Sequence, residues 1–448
     1  DGVNIIISNI NEKEIINLYP ESNGWNHTAL DRARTMQRNF VAQYLKNQDK
    51  DAALVAFVCK ESPHWRFSLI KLESSISGIN ITETITPAKR WSFLVGKDEG
   101  SHTAKSQLVD ILVNDTQAPE LEDLENKISR YTGSKFCLGL NSGTDALMMS
   151  LWACGVKKND EVITSSLSFV ASAGSIAHLG AKPIFVDVND DLNINPDLIE
   201  SCITKKTKAI LPVHWTGRMC DMDKISKIAK KHNLIIIEDA AQGMGSFYKG
   251  RHAGSYSKVA AFSAHPLKNL NGIGDSGFIT TNSKDIYEKI KLYRNHGLSG
   301  RDVVKIFGVN SRMDVVNAQI IKFRLTKLKT IIKKRKMNVQ LYKKYLKTNK
   351  VKIIPDKKYE SNSYVMFITI CENRDGLKKY LEKHKIQSLV YYGTPLHKHI
   401  ASKQYNIKSN LKNSELLSSK VLALPHHQNI KKNDIIYVCK KINEFYEK

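Results

Sequence analysis

Short apolar runs alternate with segments of helical periodicity through the middle of the chain, and this alternation predicts most of its secondary structure. The predicted strands cover residues 136–140, 161–165, 183–188, 209–213, 234–237, 260–263 and 277–281. The predicted helices cover residues 121–131, 169–179 and 222–232, and two more begin near residues 147 and 196. Strands and helices that alternate in this way predict an α/β fold with a mainly parallel sheet covered by helices.

The flanking regions have different patterns. Beyond residue 312 a basic helical pattern runs to about residue 350, and residues 351–448 then alternate predicted strands (365–370, 388–391) with predicted helices (377–384, 433–445). The first part of the chain is less regular, with a helical pattern at 28–45 and strand patterns at 52–59, 65–72 and 91–95. We therefore expect a small α+β N-terminal module (1–115), a large domain (116–325) and a smaller C-terminal α/β domain (326–448).

The stretch from residue 234 to residue 278 carries the strongest chemical signal. Its first apolar run ends at Asp239, as expected for a buried parallel strand that opens at the carboxyl edge of the sheet, where ligands bind. The next run leads to Lys268, in a turn bounded by Pro266 and glycines. Pyridoxal 5'-phosphate (PLP) requires a lysine for its Schiff base and a carboxylate for its ring nitrogen. Asp239 and Lys268 are therefore candidate catalytic residues, and a helix-capping acid and a solvated lysine are the alternatives.

A turn at residues 141–147 is a second candidate site. It contains Gly143 and Thr144 and leads from a predicted strand into a helix. Small residues with backbone N–H groups at a helix N-terminus form a site for phosphate. A simple capped helix start is the alternative, because Ser, Thr and Asp all cap helices well.

The charge is the unusual feature of the composition. The 448 residues have ordinary hydrophobic (42%) and charged (25%) contents, but a formal net charge of +24. The positive residues are mostly lysines spread along the chain, which indicates a basic surface suited to an anionic substrate such as a nucleotide sugar. Nucleic-acid binding through residues 1–115 is the alternative from another functional class.

The cysteines and the apolar runs indicate a cytoplasmic protein. The cysteines form no Cys-x-x-Cys pair, so we expect neither a metal site nor a disulfide framework. Their positions are Cys59, Cys137, Cys154, Cys202, Cys220, Cys371 and Cys439. No apolar run approaches the roughly 18 residues of a membrane span, and no signal-peptide pattern is present at the start.

The motifs from about residue 120 to the end of the chain together resemble the DegT/DnrJ/StrS family of PLP-dependent nucleotide-sugar aminotransferases. Their order and spacing carry the resemblance, through residues 141–147, 160–162, 212–214, 237–242, 262–263 with 266–269, 294–297 and 310–314. The resemblance implies a PLP fold-type I homodimer with shared active sites. It also implies transfer of an amino group from an amino acid, with glutamate expected, to a keto-sugar nucleotide in polysaccharide or lipopolysaccharide synthesis.

The resemblance also assigns roles to individual residues. Lys268 would hold PLP as a Schiff base, Asp239 would pair with the protonated pyridine nitrogen, and Gln242 would lie near the ring hydroxyl. Phe169 would stack on the cofactor. The phosphate would be bound by Gly143, Thr144 and Ser263, with Asn310 reaching across from the partner subunit. Relatives that dehydrate their substrates have histidine in place of this lysine, so Lys268 favours transamination.

The region ahead of residue 121 departs from the family pattern. We expect the segment with which family members usually begin to be missing, replaced by residues 1–115. These faintly resemble the N-terminal region of type IIG restriction–methyltransferases, through residues 90–96 and 101–104. A catalytically silent PLP-fold protein is therefore a further alternative.

Overall fold

A computed structural model describes residues 3–8, 13–17, 57–59, 119–300, 302–405 and 410–447. The chain divides into two compact units, Asp1–Ala118 and Pro119–Lys448. In the first unit, β1 (Val3–Ser8) pairs antiparallel with both β2 (Lys13–Asn17) and β3 (Phe57–Cys59). The last strand lies within the predicted strand at 52–59, whereas the predicted helix at 28–45 and the predicted strands at 65–72 and 91–95 lie outside the described residues.

A seven-stranded sheet forms the centre of the second unit. Its strands are β4 (Phe136–Leu140), β5 (Glu161–Ser165), β6 (Lys182–Val186), β7 (Thr207–Leu211), β8 (Ile235–Asp239), β9 (Val259–Ser263) and β10 (Gly277–Thr281). Their order across the sheet is β4-β10-β9-β8-β7-β5-β6. β10 runs antiparallel to both its neighbours, and the pairs from β9 to β6 are all parallel. The predicted mainly parallel α/β fold is confirmed.

Helices cover both faces of this sheet. They are α1 (Pro119–Thr132), α2 (Gly143–Ala153), α3 (Val170–His178), α4 (Met222–Lys231), α5 (Lys284–Tyr293) and α6 (Val315–Tyr345). Apolar residues of α1, α4 and α6 form one core with the sheet, and those of α2, α3 and α5 form the other. The central strands are therefore covered on both faces, and all five residues of β5 are buried.

The helix predicted to begin at residue 196 is wrong. The structure has two 3₁₀ turns there, Pro196–Leu198 and Glu200–Cys202. Asn195 caps the first by accepting a hydrogen bond from the Asp197 N–H at 3.0 Å. The chain then turns between residues 204 and 207, so the segment is too short for several turns of α-helix.

A smaller antiparallel sheet forms the C-terminal part of the same unit. It contains β11 (Val351–Ile353), β12 (Ile368–Cys371) and β13 (Val421–Ala423), in that order. The accompanying helices are α7 (Arg374–Lys383), α8 (Lys412–Lys420) and α9 (Lys432–Glu447). α6 joins the two parts, because Leu328 and Ile332 pack in the core of the large sheet whereas Val339 and Tyr342 pack with the small one. The predicted domain limit at residue 325 lies inside this helix and stays a prediction.

Short elements complete the second unit. Phe247–Tyr248, Arg251–His252 and Glu360–Ser361 form a small sheet, and Leu298–Gly300 pairs with Val303–Val304. Trp215–Gly217, Leu396–Lys398 and Ile400–Tyr405 are 3₁₀ turns. The strand predicted at 388–391 is wrong, because that segment makes only an isolated bridge between Leu389 and Ala423. In the described ranges, no helix has the length and apolarity that a membrane span requires.

Candidate active site

The site lies where β8 and β9 open at the carboxyl edge of the sheet. The two strands are parallel neighbours, with Asp239 of β8 opposite Ala261 of β9. Lys268 follows β9 in the loop that leads back to β10. Both residues of the predicted pair therefore lie at the same end of the sheet, and the charge of each acts on the pKa of the other. This edge is where open α/β sheets bind their ligands.

Asp239 is a buried acid with part of its hydrogen-bonding capacity filled. The residue is 4% exposed, and its carboxylate accepts hydrogen bonds from the Ser172 hydroxyl (2.7 Å) and the Ala241 N–H (3.2 Å). Burial raises its pKa, and these two hydrogen bonds and the charge of Lys268 oppose that rise without cancelling it. A carboxylate has about four acceptor positions, so Asp239 can receive a further donor from a ligand.

Lys268 has an amine that burial makes less basic. Desolvation lowers its pKa, and the negative charge of Asp239 only partly opposes the change. A lysine shifted in this direction spends more time as the neutral amine, which is the form that attacks carbonyl carbons and accepts protons. The shift and the location both fit a lysine that forms a Schiff base.

The loop that carries Lys268 is fixed to the rest of the unit. The Asn269 side chain donates to the Ser363 carbonyl at 2.9 Å, and the Gly272 N–H donates to the Ala264 carbonyl at 2.7 Å. Arg324 of α6 donates to the carbonyls of Asn271 (2.9 Å) and Gly272 (3.1 Å). Lys268 is thus presented by a loop that is held from several sides, as a precise catalytic geometry requires.

A second part of the site lies at the N-terminus of α2. Gly143 and Thr144 are the first residues of this helix, which Ser142 caps by accepting from the Asp145 N–H at 3.1 Å. Ser263 ends β9 directly against it, so that a Cβ built on Gly143 would lie 2.7 Å from the Ser263 Cβ. The structure therefore brings together the three predicted phosphate-binding residues, and the close approach requires glycine at position 143.

An aromatic wall lines the site near Asp239. Phe169 caps α3 and is 51% exposed, and its ring centre lies 5.9 Å from that of Tyr392. Tyr392 also stacks with Trp215, at 6.0 Å. Burial raises the pKa of Tyr392, and the neighbouring charges of Tyr391 and Asp239 raise it further. Phe169 is thus exposed at the site, and its stacking on the cofactor stays a prediction. The wall behind it includes two aromatics that the sequence motifs did not assign to the site.

The two other predicted residues differ in their positions. Gln242 is buried in the turn after β8, where its side-chain oxygen accepts from the Thr216 N–H at 2.7 Å. Asn310 is exposed beside the hairpin at residues 298–304, and its side chain accepts from Arg312 at 3.2 Å. The next residue, Ser311, donates to the Asn141 side chain at 3.0 Å, which places Asn310 near the α2 turn.

Two polar groups beside Asp239 were missed in the sequence. Ser172 lies in the first turn of α3 and contacts the acid directly. Glu238 and His214 form a fully buried pair, 2.7 Å apart, on the opposite face of β8. A signal for Ser172 exists in retrospect, because it follows Phe169 by three residues and so lies on the same side of a helix.

Known proteins share this architecture. The Streptomyces venezuelae protein DesV, solved with a ketimine intermediate, has a TM-score of 0.75 and 31% identity, with 78% of this chain and 96% of that chain covered. The PLP form of a Streptococcus pneumoniae sugar aminotransferase has a TM-score of 0.73 and 26% identity, over 77% and 96% of the two chains. The fold is thus that of PLP-dependent sugar aminotransferases.

Sequence comparison identifies the family. Residues 102–443 match the DegT/DnrJ/EryC1/StrS aminotransferase family. A dTDP-3-amino-3,6-dideoxy-alpha-D-galactopyranose transaminase of Aneurinibacillus thermoaerophilus is 35% identical over 329 residues, 73% of this chain and 90% of that protein. A "pleiotropic regulatory protein" of Geobacillus stearothermophilus is 38% identical over 332 residues, 73% of this chain and 89% of its length. The chain belongs to this family and is a PLP-dependent aminotransferase.

The comparisons also correct the predicted limit of the family region. The match starts at residue 102, ahead of the start near residue 120 that the motifs predict. The family match therefore includes residues 102–115, which were assigned to the N-terminal module, so the expected replacement of the leading family segment by residues 1–115 does not extend to them. The site residues fit PLP, because a phosphate cradle, a desolvated lysine and a buried acid with acceptor capacity all meet at one edge of the sheet.

Proposed function

We propose that the protein moves an amino group from an amino acid, with glutamate expected as the donor, to a keto-sugar nucleotide in the synthesis of polysaccharide or lipopolysaccharide sugars. The pairing of buried Asp239 with desolvated Lys268 at the carboxyl edge carries the proposal. Relatives named as transaminases of dTDP- and UDP-linked sugars, together with a GDP-perosamine synthase, support the substrate class. A cytoplasmic location fits the free cysteines found among the described residues.

Each site residue then has a physical task. When bound, PLP supplies an aldehyde for the Schiff base and a ring that accepts the electrons of the bond broken at the amino carbon. Lys268 would hold PLP as a Schiff base, and as a neutral amine it would take the proton from the donor's α-carbon and deliver it to the cofactor carbon that carried the aldehyde. Asp239 holds a proton on the ring nitrogen.

The other residues position the cofactor. Gly143 and Thr144 direct the N-terminus of α2 at the phosphate, and Ser263 adds a hydroxyl to the same cradle. Phe169 would stack on the cofactor ring, as aromatic side chains do well. Gln242, in the turn that directly follows Asp239, would hold the ring hydroxyl.

A homodimer completes the proposed site. The hairpin beside Asn310 exposes several apolar side chains, and Phe307 is 97% exposed. Exposed apolar residues grouped in this way favour a protein interface. In the proposed dimer, the partner subunit's Asn310 would reach the phosphate. Phe307→Asp should yield monomers in sedimentation analysis, whereas Asn310→Ala should leave the dimer intact and weaken PLP binding.

The visible absorbance spectrum tests the cofactor assignment. Protein purified with PLP should show a Schiff-base band that borohydride fixes on Lys268, as a mass shift of the peptide that contains it. Lys268→Ala should lack the band, whereas Lys258→Ala, a lysine outside the site, should keep it. A band retained in Lys268→Ala, with the label on another lysine, would contradict the assignment.

The amino-transfer reaction needs its own test. Glutamate added to the loaded protein should abolish the Schiff-base band, and a keto-sugar nucleotide should restore it with formation of an amino sugar. A formed Schiff base that no amino acid discharges would instead support the catalytically silent alternative. The nucleic-acid alternative is not favoured, since the family match covers residues 102–443.

A further inference from the structure

The side chain of Ser172 is placed on Asp239 by the fold. Its hydroxyl donates to Oδ2 of Asp239 at 2.7 Å, and the residue is 1% exposed. The hydroxyl of a serine inside a helix commonly donates a hydrogen bond to the backbone carbonyl four residues earlier. Ser175, in the same helix, does so, donating to the Ala171 carbonyl at 2.7 Å. The hydroxyl of Ser172 is therefore directed away from its helix and towards the acid.

A second serine extends the contact into a directed chain. The Ser168 and Ser172 hydroxyl oxygens are 2.9 Å apart, and Ser168 is 3% exposed. A hydroxyl has one proton to donate. Because Ser172 gives its proton to Asp239, Ser168 must be the donor in the pair. The chain therefore runs from Ser168 through Ser172 to the carboxylate, and donors aligned in this way strengthen one another.

We propose that Ser172, supported by Ser168, is a positioning residue that holds Asp239 ionised and turned towards the ring nitrogen of PLP. The inference rests on the proposed function, in which Asp239 pairs with that nitrogen. Burial works against the ionised carboxylate and raises the pKa of Asp239, and the Ser172 hydroxyl opposes this effect. Fixing Oδ2 also fixes the direction in which Oδ1 presents its remaining lone pair.

PLP binding measures this role without catalysis. Ser172→Ala should weaken PLP binding at least about tenfold, the usual effect of losing one hydrogen bond to a charged group. It should also shift the pH midpoint of the Schiff-base band, which a purely structural role would not move. Ser175→Ala is the matched control, and its affinity should stay within about twofold of wild type. Ser172→Cys keeps the volume with a weak donor and carries the same test if the alanine variant does not fold.

A double-mutant cycle separates this inference from the proposed function. In an Asp239→Asn background, Ser172→Ala should produce little further loss of PLP affinity, because its partner is already neutral. If Asp239→Asn weakens binding while Ser172→Ala does not, the inference fails and the proposed function stands. If the two losses simply add, Ser172 does not act through Asp239 and the inference fails again. If Asp239→Asn leaves PLP affinity unchanged, Asp239 does not pair with the ring nitrogen of PLP, and both the proposed function of Asp239 and the inference about Ser172 are wrong.

Discussion

Glu238 and Asp239 are consecutive acids on β8, but their carboxylates have opposite environments. Side chains of neighbouring strand residues point to opposite faces of a sheet, so the two carboxylates enter different surroundings. Both are buried, at 0% and 4% exposed. Their pKa values nevertheless move in opposite directions, downwards for Glu238 and upwards for Asp239.

Contacts within the protein complete the hydrogen bonding of Glu238. Its carboxylate faces His214 at 2.7 Å and accepts from the N–H groups of Gly254 (2.7 Å) and Tyr256 (2.9 Å). The His214 Nδ1 accepts from the Cys220 N–H, which leaves the proton on Nε2 to point at Glu238. Burial alone would raise the pKa of Glu238, but the hydrogen bond from His214 and the backbone donors outweigh it.

The carboxylate of Asp239 receives fewer hydrogen bonds from the protein than that of Glu238. This difference is expected between an acid with a structural role and an acid that binds a ligand. Ser172 and Ala241 donate hydrogen bonds to its carboxylate, and burial still raises its pKa. Burying a carboxylate that has too few hydrogen-bond donors costs free energy, and a cationic donor that binds to it offsets this cost. The protein itself therefore supplies the partners of Glu238, whereas Asp239 keeps acceptor capacity for the proposed cofactor.

The largest expected effect follows from removing the charge of Glu238. In Glu238→Gln, an amide NH₂ would face the N–H groups of Gly254 or Tyr256, and the His214 proton would lose its ionised acceptor. Losing several hydrogen bonds to a buried charged group, with a donor left unpaired, costs about 3 kcal/mol or more of the free energy of unfolding. Urea unfolding of the cofactor-free protein should show the loss.

Asp239→Asn is the matched control for that measurement. Neutralising an incompletely stabilised buried acid should leave the stability of the cofactor-free protein within about 1 kcal/mol of wild type, or raise it. Equal losses in the two variants would remove the distinction between the two acids.

The second prediction concerns the pH dependence of stability. The folded pKa of Asp239 is raised above its ordinary 3.8, so the stability it contributes is present below that value and is lost as pH rises through the folded pKa. The folded pKa of Glu238 is lowered from 4.5, so its contribution is present above that value and is lost as pH falls through the folded pKa.

Urea midpoints measured from acidic to neutral pH test these signs. As pH rises, wild type should lose stability relative to Asp239→Asn and gain stability relative to Glu238→Gln. A tenfold difference between the folded and unfolded acid dissociation constants corresponds to about 1.4 kcal/mol of stability. If the urea midpoints of both variants, relative to wild type, change in the same direction with pH, the two carboxylates do not have opposite environments.

The sequence predicted one side of this comparison better than the other. An apolar run followed by an acid, and a second run followed by a lysine, predicted that Asp239 and Lys268 would meet, because parallel strands open at one edge. The same signal cannot show that Glu238 faces His214, since the contact joins a residue of β8 to one that lies 24 positions earlier, beyond the end of β7. Ser172 lies 67 positions from Asp239, and its spacing of three residues from Phe169 is the one signal that could have indicated its side of the helix.

The errors in secondary structure have a similar cause. The pattern after residue 196 has helical spacing, but the closing turn at residues 204–207 limits its length. The segment at 388–391 has strand character, yet it leads into Tyr392, whose ring packs against Trp215 and Phe169, and it does not continue a ladder. Local pattern predicted the central sheet because its strands are buried on both faces, and failed where a distant contact decides the path of the chain.

The smallest expected effect concerns Lys268 itself. Burial lowers the pKa of its amine, so the cationic form of Lys268 is disfavoured in the folded protein without cofactor. Lys268→Met removes the charge and keeps most of the apolar length. We expect the free energy of unfolding of the cofactor-free protein to rise by up to about 1 kcal/mol, as at other sites where function and stability conflict.

Lys329→Met, at an exposed position of α6, is the control and should leave the urea midpoint unchanged. If Lys268→Met instead lowers the midpoint while the control does not, the amine stabilises the empty protein. Lys268 would then belong with Glu238, among the groups whose partners the protein itself supplies. A rise would place it with Asp239, as half of a pair whose unfavourable burial is offset only when the cofactor binds.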